Sequence, residues 1–479
     1  MKEQILALEK QSRQLETSTS QRAVWNKAVN AYADDFIENI FTNKAYIVDD
    51  LDTEAFDSID FNKPIDIESA VEFIKEKVDQ IGLNPASGGH LGYIPGGGIF
   101  PSALGDYIAA VGNRYAGISF GGPGAVKIEN SLIAWMAKVM GYPDTAHGNL
   151  TSGGSIANLI AITTARDHKE IVPEKVRSSV IYLTKQVHHC VQKAIRICGL
   201  EYAKIEYIPL DANFRMDVNA LKERIAKNKI DGLNPFLLVG SAGTTDTGAV
   251  DPMEALAEVC KSNDIWFHVD AAYGGFFILC PEHKDKFKGI ELSDSLVIDP
   301  HKGLFLSYGL GTVLVKNKEA LYKSHYYKAN YMQDTIGYTE DISPADVSPE
   351  LTKHFRGMRL WLPLRLFGLQ PFIAGLSEKI LLCRYFYEEI QKLGFEVGPY
   401  PDLSVMIFKY PAKENATEIN EAIVEHVKQD GRVFLSSTNI DGVYWIRLAP
   451  LAFRTHLDTI DTCLEVIGIK VREMEAVKV

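Results

Sequence analysis

Apolar residues recur along this chain with two different periods, and the switch between them predicts the architecture. Over Asp66 to Ile81, residues Ile67, Ala70, Val71, Phe73, Ile74, Val78 and Ile81 carry the spacing of an amphipathic helix. From Glu129 to about Val315 the pattern becomes short, nearly unbroken apolar runs. These are VIYL (Val180 to Leu183), KIEYIPL (Lys204 to Leu210), PFLLVGSAG (Pro235 to Gly243), IWFHVDAA (Ile265 to Ala272), SLVID (Ser295 to Asp299) and GTVLVK (Gly311 to Lys316). Helical stretches such as Val218 to Lys229 and Met253 to Ser262 lie between several of them. Strands that lack polar alternation are buried on both faces, so the pattern predicts an α/β fold with a mostly parallel central sheet covered by helices. Ligands of such sheets sit at the carboxyl ends of the strands.

The flanks read differently. The first ~60 residues are polar with short helical periods, and Gly88 to Gly124 is a glycine-dense connector whose permissive backbone allows close approach to other segments or a ligand. Ser324 to Pro349 has no period and reads as a lid. Pro363 to Gln391 then reads as one helix, and VMIFKY, GRVFLS and YWIRLAP read as strands of a smaller α/β domain. The expected organisation is an N-terminal helical segment over 1–99, a large ligand-binding domain over 100–370 and a small C-terminal domain over 371–479.

Composition narrows the function classes. Lys and Arg total 50 against 62 Asp and Glu, so a net charge of −12 in 479 residues advertises no face for nucleic acid or anionic lipid. No uninterrupted apolar run approaches the ~18 residues of a membrane span. Six cysteines without a C-x-x-C pair fit reduced thiols, and a cytoplasmic location is expected.

Four strand ends carry unusual polar residues. In LTSGGSIANLIAI, Gly153 and Gly154 precede Ser155 and a helix, so free N–H groups and the helix dipole suit a phosphate, although an ordinary capped turn has the same sequence. In IWFHVDAA, Asp270 closes a buried strand and requires a cation, either a nearby Lys or Arg or a protonated ring nitrogen. In SLVIDPHKGL, Lys302 follows a strand and a proline; a desolvated lysine beside other cations has a lowered pKa and can form a Schiff base with an aldehyde. In KQVHHCVQKA, His188 and His189 invite a metal, but neighbours on a helix point about 100° apart. No metal is expected, and His188 stacked on a flat aromatic ligand fits better, with a capping or solvent-facing histidine as the alternative. A phosphate cradle, an acid for a ring nitrogen, a Schiff-base lysine 32 residues later and a stacking imidazole together describe a site for pyridoxal 5'-phosphate (PLP).

The ordered motifs TSGGSIANL, VHHCVQKA, GTTDTGAVDP, HVDAAYGGF and DSLVIDPHKGL resemble the group II PLP-dependent amino-acid decarboxylases, which include aromatic-L-amino-acid, tyrosine, histidine and glutamate enzymes. The resemblance spans roughly residues 60 to 455. It implies a type I, aspartate-aminotransferase-like fold and a homodimer with shared active sites, its N-terminal segment packed on the partner. It assigns Lys302 to the cofactor aldehyde, Asp270 to the pyridinium nitrogen and His188 to the ring face. Thr245 falls near the ring, Gly154, Ser155, Ser295 and Asp299 on positions lining the phosphate, and His301 beside the lysine. Tyr331, 29 residues after Lys302, matches a loop tyrosine that protonates the substrate carbon. Arg447 resembles an arginine used for the substrate carboxylate, and Tyr93, Ile94 and Pro95 match a pocket segment.

The implied reaction is decarboxylation of an L-amino acid to its amine and CO2. An aromatic substrate leads, with a non-aromatic one, or another PLP reaction such as aldehyde synthesis, lyase cleavage or transamination, as the alternative. Two departures bear on the substrate. Gly303 stands where many members have Trp after the lysine, and HLGYIPGGG is poorer in large aromatics than the pocket segment of aromatic decarboxylases, while Gly117 in NRYAGISF hints at extra room.

Overall fold

The computed structural model describes residues 1–327 and 341–477. Its centre is a seven-stranded sheet of β1 (His147–Thr151), β2 (Ser179–Leu183), β3 (Lys204–Tyr207), β4 (Asn234–Ser241), β5 (Trp266–Asp270), β6 (Ser295–Ile298) and β7 (Gly311–Val315), in the order β1-β7-β6-β5-β4-β2-β3. Pairings from β3 across to β6 are parallel, and β7 runs antiparallel to both β6 and β1. Each of the six apolar runs predicted as strands between Val180 and Lys316 forms one. The first strand, HGNLT, escaped because three of its five residues are polar and one is glycine.

Alternation within each strand sends residues to two cores. Phe267, Val269, Leu296 and Ile298 face one cluster. Trp266 and Val297 face the other, beneath helices α1 (Gly154–His168) and α2 (His189–Ile197). His268 and Asp270 share the Trp266 face by the two-residue period of a strand. This puts two polar side chains under α1 and α2, where each needs a partner.

The small domain holds a four-stranded antiparallel sheet of β8 (Glu396–Val397), β9 (Met406–Lys409), β10 (Ser436–Ile440) and β11 (Val443–Leu448), ordered β8-β9-β11-β10. GRVFLS, expected as a strand, is mostly an extended link; pairing starts only at Ser436, because Leu91 and Gly89 take the backbone groups of Phe434. The single helix expected over Pro363 to Gln391 is two, Met358–Phe367 and Gln370–Lys392, bent by 98°. Gly368 at φ 66 breaks the run, while Pro363 sits inside the first helix. The Asp66 to Ile81 prediction appears as Ile67–Phe73 continued by a π turn over Ile74–Val78.

The glycine-dense connector is a set of close crossings. A Cβ on Gly96 would lie 2.1 Å from the His301 carbonyl oxygen, and one on Gly117 only 1.9 Å from that of Leu351. Gly117 therefore serves backbone packing, and the extra substrate room it suggested is not there. Gly303 likewise faces inward, where a Cβ would stand 2.8 Å from Cβ of Phe276.

Candidate active site

A cavity of about 400 Å3 opens at the carboxyl edge of the central sheet. Gly154, Ser155, His188, Thr245, Asp270, Asp299, His301 and Lys302 all line it, so eight predicted residues from five chain segments meet in one place.

One end is the start of α1. Gly153 in the cap position makes no side-chain cap bond, leaving the first-turn N–H groups facing the cavity with the positive end of the dipole. A Cβ on Gly154 would come within 2.9 Å of Asp299 Oδ2, so this cradle admits only glycine without a shift. His301 sits beside it and donates from Nδ1 to the Leu310 carbonyl, and burial pushes its pKa down.

Across the cavity, Asp270 ends β5 and is 8% exposed. Its Oδ1 accepts from the Ala272 N–H at 3.1 Å and its Oδ2 from Asn158 Nδ2 at 3.3 Å. A carboxylate fed only by donors is set to face a further N–H.

Lys302 lies on the short helix Pro300–Gly303, with Nζ 3.2 Å from Asp299 Oδ2. Burial acts to lower its pKa, but the charges of Asp299 and Asp270 outweigh it and the net shift is upward. The lowered pKa expected for this lysine is thus reversed, because its neighbours are anions rather than cations. Asp299 also leaves the phosphate set: a carboxylate 1% exposed and paired with Lys302 would repel a phosphate.

His188 caps α2, its Nδ1 accepting from the Cys190 N–H at 3.4 Å. Burial is the main cause of its lowered pKa, so the ring is neutral with its proton on Nε2. As a cap it lies outside the helix. The 100° argument against joint metal ligation therefore fails, and the His188 and His189 ring centroids are 4.1 Å apart. Among the described residues, no group of three His, Cys, Asp or Glu could hold a metal.

Several predicted residues lie elsewhere. Ser295 is at the amino end of β6, one strand length from the phosphate cradle, bonded to Trp266 and His268. Arg447 is 3% exposed and outside the cavity. Its Nε donates to the Thr245 carbonyl and its Nη1 to the Gly92 carbonyl and Ser436 Oγ, so it clamps three segments, while its Nη2 is buried without a hydrogen-bond partner. Tyr93, Ile94 and Pro95 do not line the cavity, and Tyr93 packs on Phe434. Tyr331 falls outside the described residues.

The structure adds Gln186, Cys190, Tyr308 and Asn158 to the cavity wall. Asn158 had a signal, a lone amide in the apolar run of NLIAI, four residues after Gly154, whose carbonyl it binds at 3.0 Å. Tyr308 had none.

Residues 88–411 match the family model described as the pyridoxal-dependent decarboxylase conserved domain. The chain belongs to the pyridoxal-dependent decarboxylase family. It is 33% identical over 372 residues to an aromatic-L-amino-acid decarboxylase of Bacillus atrophaeus, covering 76% of this chain and 77% of that one. Tryptophan decarboxylase 2 of Oryza sativa subsp. japonica is 27% identical, with coverage of 83% and 84%. The solved structure of Oryza sativa TDC with PLP and tryptamine superposes with a TM-score of 0.90 at 21% identity, over 96% of this chain and 99% of that one. The type I fold of PLP decarboxylases follows, as does PLP as cofactor for a carboxy-lyase.

The cavity fits that cofactor on its own terms. Gly154 and Ser155 would hold the phosphate, Asp270 the ring nitrogen, Lys302 the aldehyde and His188 the ring, and the glycine-only cradle leaves space where a side chain would intrude.

Proposed function

We propose that this pyridoxal-dependent decarboxylase removes the α-carboxylate of an aromatic L-amino acid, releasing the amine and CO2, and works as a homodimer in the cytoplasm. The observation that carries the reaction is the meeting of Lys302 and Asp270 in one cavity with a phosphate cradle. The aromatic substrate class is supported by the named activities of the relatives at 33% and 27% identity.

Bound here, PLP supplies the conjugated electron sink into which the carboxylate's bonding pair passes. Asp270, whose two oxygens accept from the Ala272 N–H and Asn158 Nδ2, would face the ring nitrogen as the acceptor for its proton. Neutral His188 covers the ring without adding a competing charge. Lys302 would provide the amine that holds the cofactor aldehyde, and Asp299, 3.2 Å away, would balance its charge. Orientation and fixed electrostatics are the protein's share.

Dimerisation is supported by the N-terminal helices Lys2–Ser12 and Thr19–Glu38, which bury no residue in the monomer while exposing Ile5, Leu8, Trp25 and Val29. The helix Phe100–Gly112 adds exposed Leu104, Tyr107, Ile108 and Val111. Six free, buried cysteines support a reducing compartment.

The test is to incubate PLP-loaded protein with a panel of L-amino acids and follow CO2, amine, aldehyde and peroxide. Amine and CO2 from an aromatic substrate support the reading. Aldehyde with peroxide, or turnover confined to glutamate or another non-aromatic substrate, overturns it.

A further inference from the structure

Behind Asp270 lies a chain of buried polar groups that none of the motifs explains. Trp266 Nε1 donates to Ser295 Oγ at 2.9 Å, Ser295 Oγ meets His268 Nδ1 at 2.8 Å, and His268 Nε2 meets Asn158 Oδ1 at 2.8 Å. Asn158 Nδ2 then donates to the Gly154 carbonyl at 3.0 Å, and its second hydrogen lies between Asp270 Oδ2 at 3.3 Å and Cys190 Sγ at 3.5 Å. All of these side chains are buried, and His268 and Ser295 are 0% exposed.

The direction of every proton in this chain follows from chemistry. The Asn158 amide must turn its NH2 toward the Gly154 carbonyl and the Asp270 carboxylate, since its oxygen there would face two acceptors. Its oxygen therefore faces His268 Nε2, and a carbonyl oxygen only accepts, so Nε2 carries the hydrogen. Burial holds the imidazole neutral, with its pKa lowered to about 4, so Nδ1 is a bare acceptor. Only the Ser295 hydroxyl can supply the hydrogen it needs, and the indole N–H of Trp266 fills the serine's lone pair. Each bond donates toward Asp270, and the neighbouring dipoles align.

We propose that Asn158, His268 and Ser295 are positioning residues that act through one another to hold Asp270 as a weakly basic carboxylate, so that the proton it shares with the cofactor stays on the ring nitrogen. The inference rests on the PLP reading of the same cavity. Ser295 thereby has a role on the far side of the site from the phosphate it was expected to line. A donor on Asp270 Oδ2 lowers the carboxylate's proton affinity; without it, the proton moves from ring to carboxylate and the electron sink weakens.

Two measurements test this separately from turnover. In apoprotein labelled with 15N-histidine, with the His268 signals assigned by their loss in His268→Asn, His268 should show the Nε2–H tautomer unchanged from pH 5.5 to 8.5. Ser295→Ala should mix the tautomers. An Nδ1–H tautomer or an imidazolium in the native chain overturns the proposal and leaves PLP binding untouched. Failure of the native chain to bind PLP removes the reading beneath it, whatever the tautomer. In holoenzyme carrying 15N-labelled cofactor, Asn158→Leu, close to isosteric, should move the ring-nitrogen shift toward neutral pyridine. It should also lower kcat by about tenfold or more with little change in KM, as expected for a lost bond to a charged group. Ser295→Ala should do the same to a smaller degree. An unmoved ring-nitrogen shift in a folded, cofactor-bound Asn158→Leu protein refutes the proposal. If that variant does not fold, the tautomer measurement on the native chain decides.

Discussion

Lys302 Nζ stands 3.2 Å from Asp299 Oδ2, three residues back on the same turn, and that carboxylate is almost wholly buried. The pair stores the lysine as an ammonium, the form that cannot attack an aldehyde. Capture of the cofactor therefore begins with loss of a proton that Asp299 and Asp270 both hold in place.

Asp299→Asn should lower the Lys302 pKa by removing the first of those charges. At a fixed pH below the native lysine pKa, more free amine is present, so the rate of PLP capture should rise and its pH profile should move to lower pH. Stopped-flow absorbance of apoprotein mixed with PLP reads this directly. A profile that stays put or moves to higher pH would show that the pair does not control the amine.

Lys302→Ala should abolish the visible absorbance of lysine-bound cofactor while phosphate and ring contacts remain. Equilibrium dialysis should still find PLP associated, more weakly. An unchanged visible band in this variant would remove Lys302 from its role.

Tyr331→Phe should leave PLP bound and divert product from amine toward oxidised carbonyl, if the tyrosine supplies the proton to the substrate carbon. Product ratios by chromatography measure it. Undiminished amine yield would sink the assignment.

A second buried pair supports the floor of the site. Lys353 Nζ lies 2.7 Å from Glu129 Oε2 with both side chains fully buried, and the same ammonium donates to the Leu150 carbonyl on β1, just before the phosphate cradle. Lys353→Met strands Glu129 and should cost about 3–5 kcal/mol of stability. Adding Glu129→Gln should recover part of it. Denaturant unfolding of both variants gives the comparison, and a near-silent single substitution would mean the carboxylate finds another partner.

Stability should fall in mild acid. His90, His147 and His268 each have a pKa lowered to about 4, with burial as the chief cause. An unfolded histidine titrates near about 6.5, so between there and about 4 the unfolded chain binds protons that the folded chain does not. Folding stability is complete above that window and is lost as pH falls through it, by up to about 1.4 kcal/mol per pH unit for each histidine. His90, both of whose ring nitrogens are buried without a hydrogen-bond partner, is the cleanest to remove. His90→Phe should flatten the slope by about one histidine's share, read from urea unfolding at several pH values.

The amino-acid sequence alone determined what is local: the buried strands, the helix that starts at a glycine pair, the carboxylate at the end of β5 and the lysine after a proline turn. These follow from period, propensity and the chemistry of a strand end, which neighbouring residues fix among themselves. The tertiary structure decided the partners. Asp299 belongs to Lys302, Ser295 to His268, Arg447 to two backbone carbonyls and a serine, and Gly117 to the carbonyl of Leu351. A buried polar group takes whichever donor or acceptor the neighbouring strand, covering helix or crossing loop brings to it, and some of those partners, such as Asn158 for His268, lie more than a hundred residues away in the chain. No pattern along one segment records which segment will cover it.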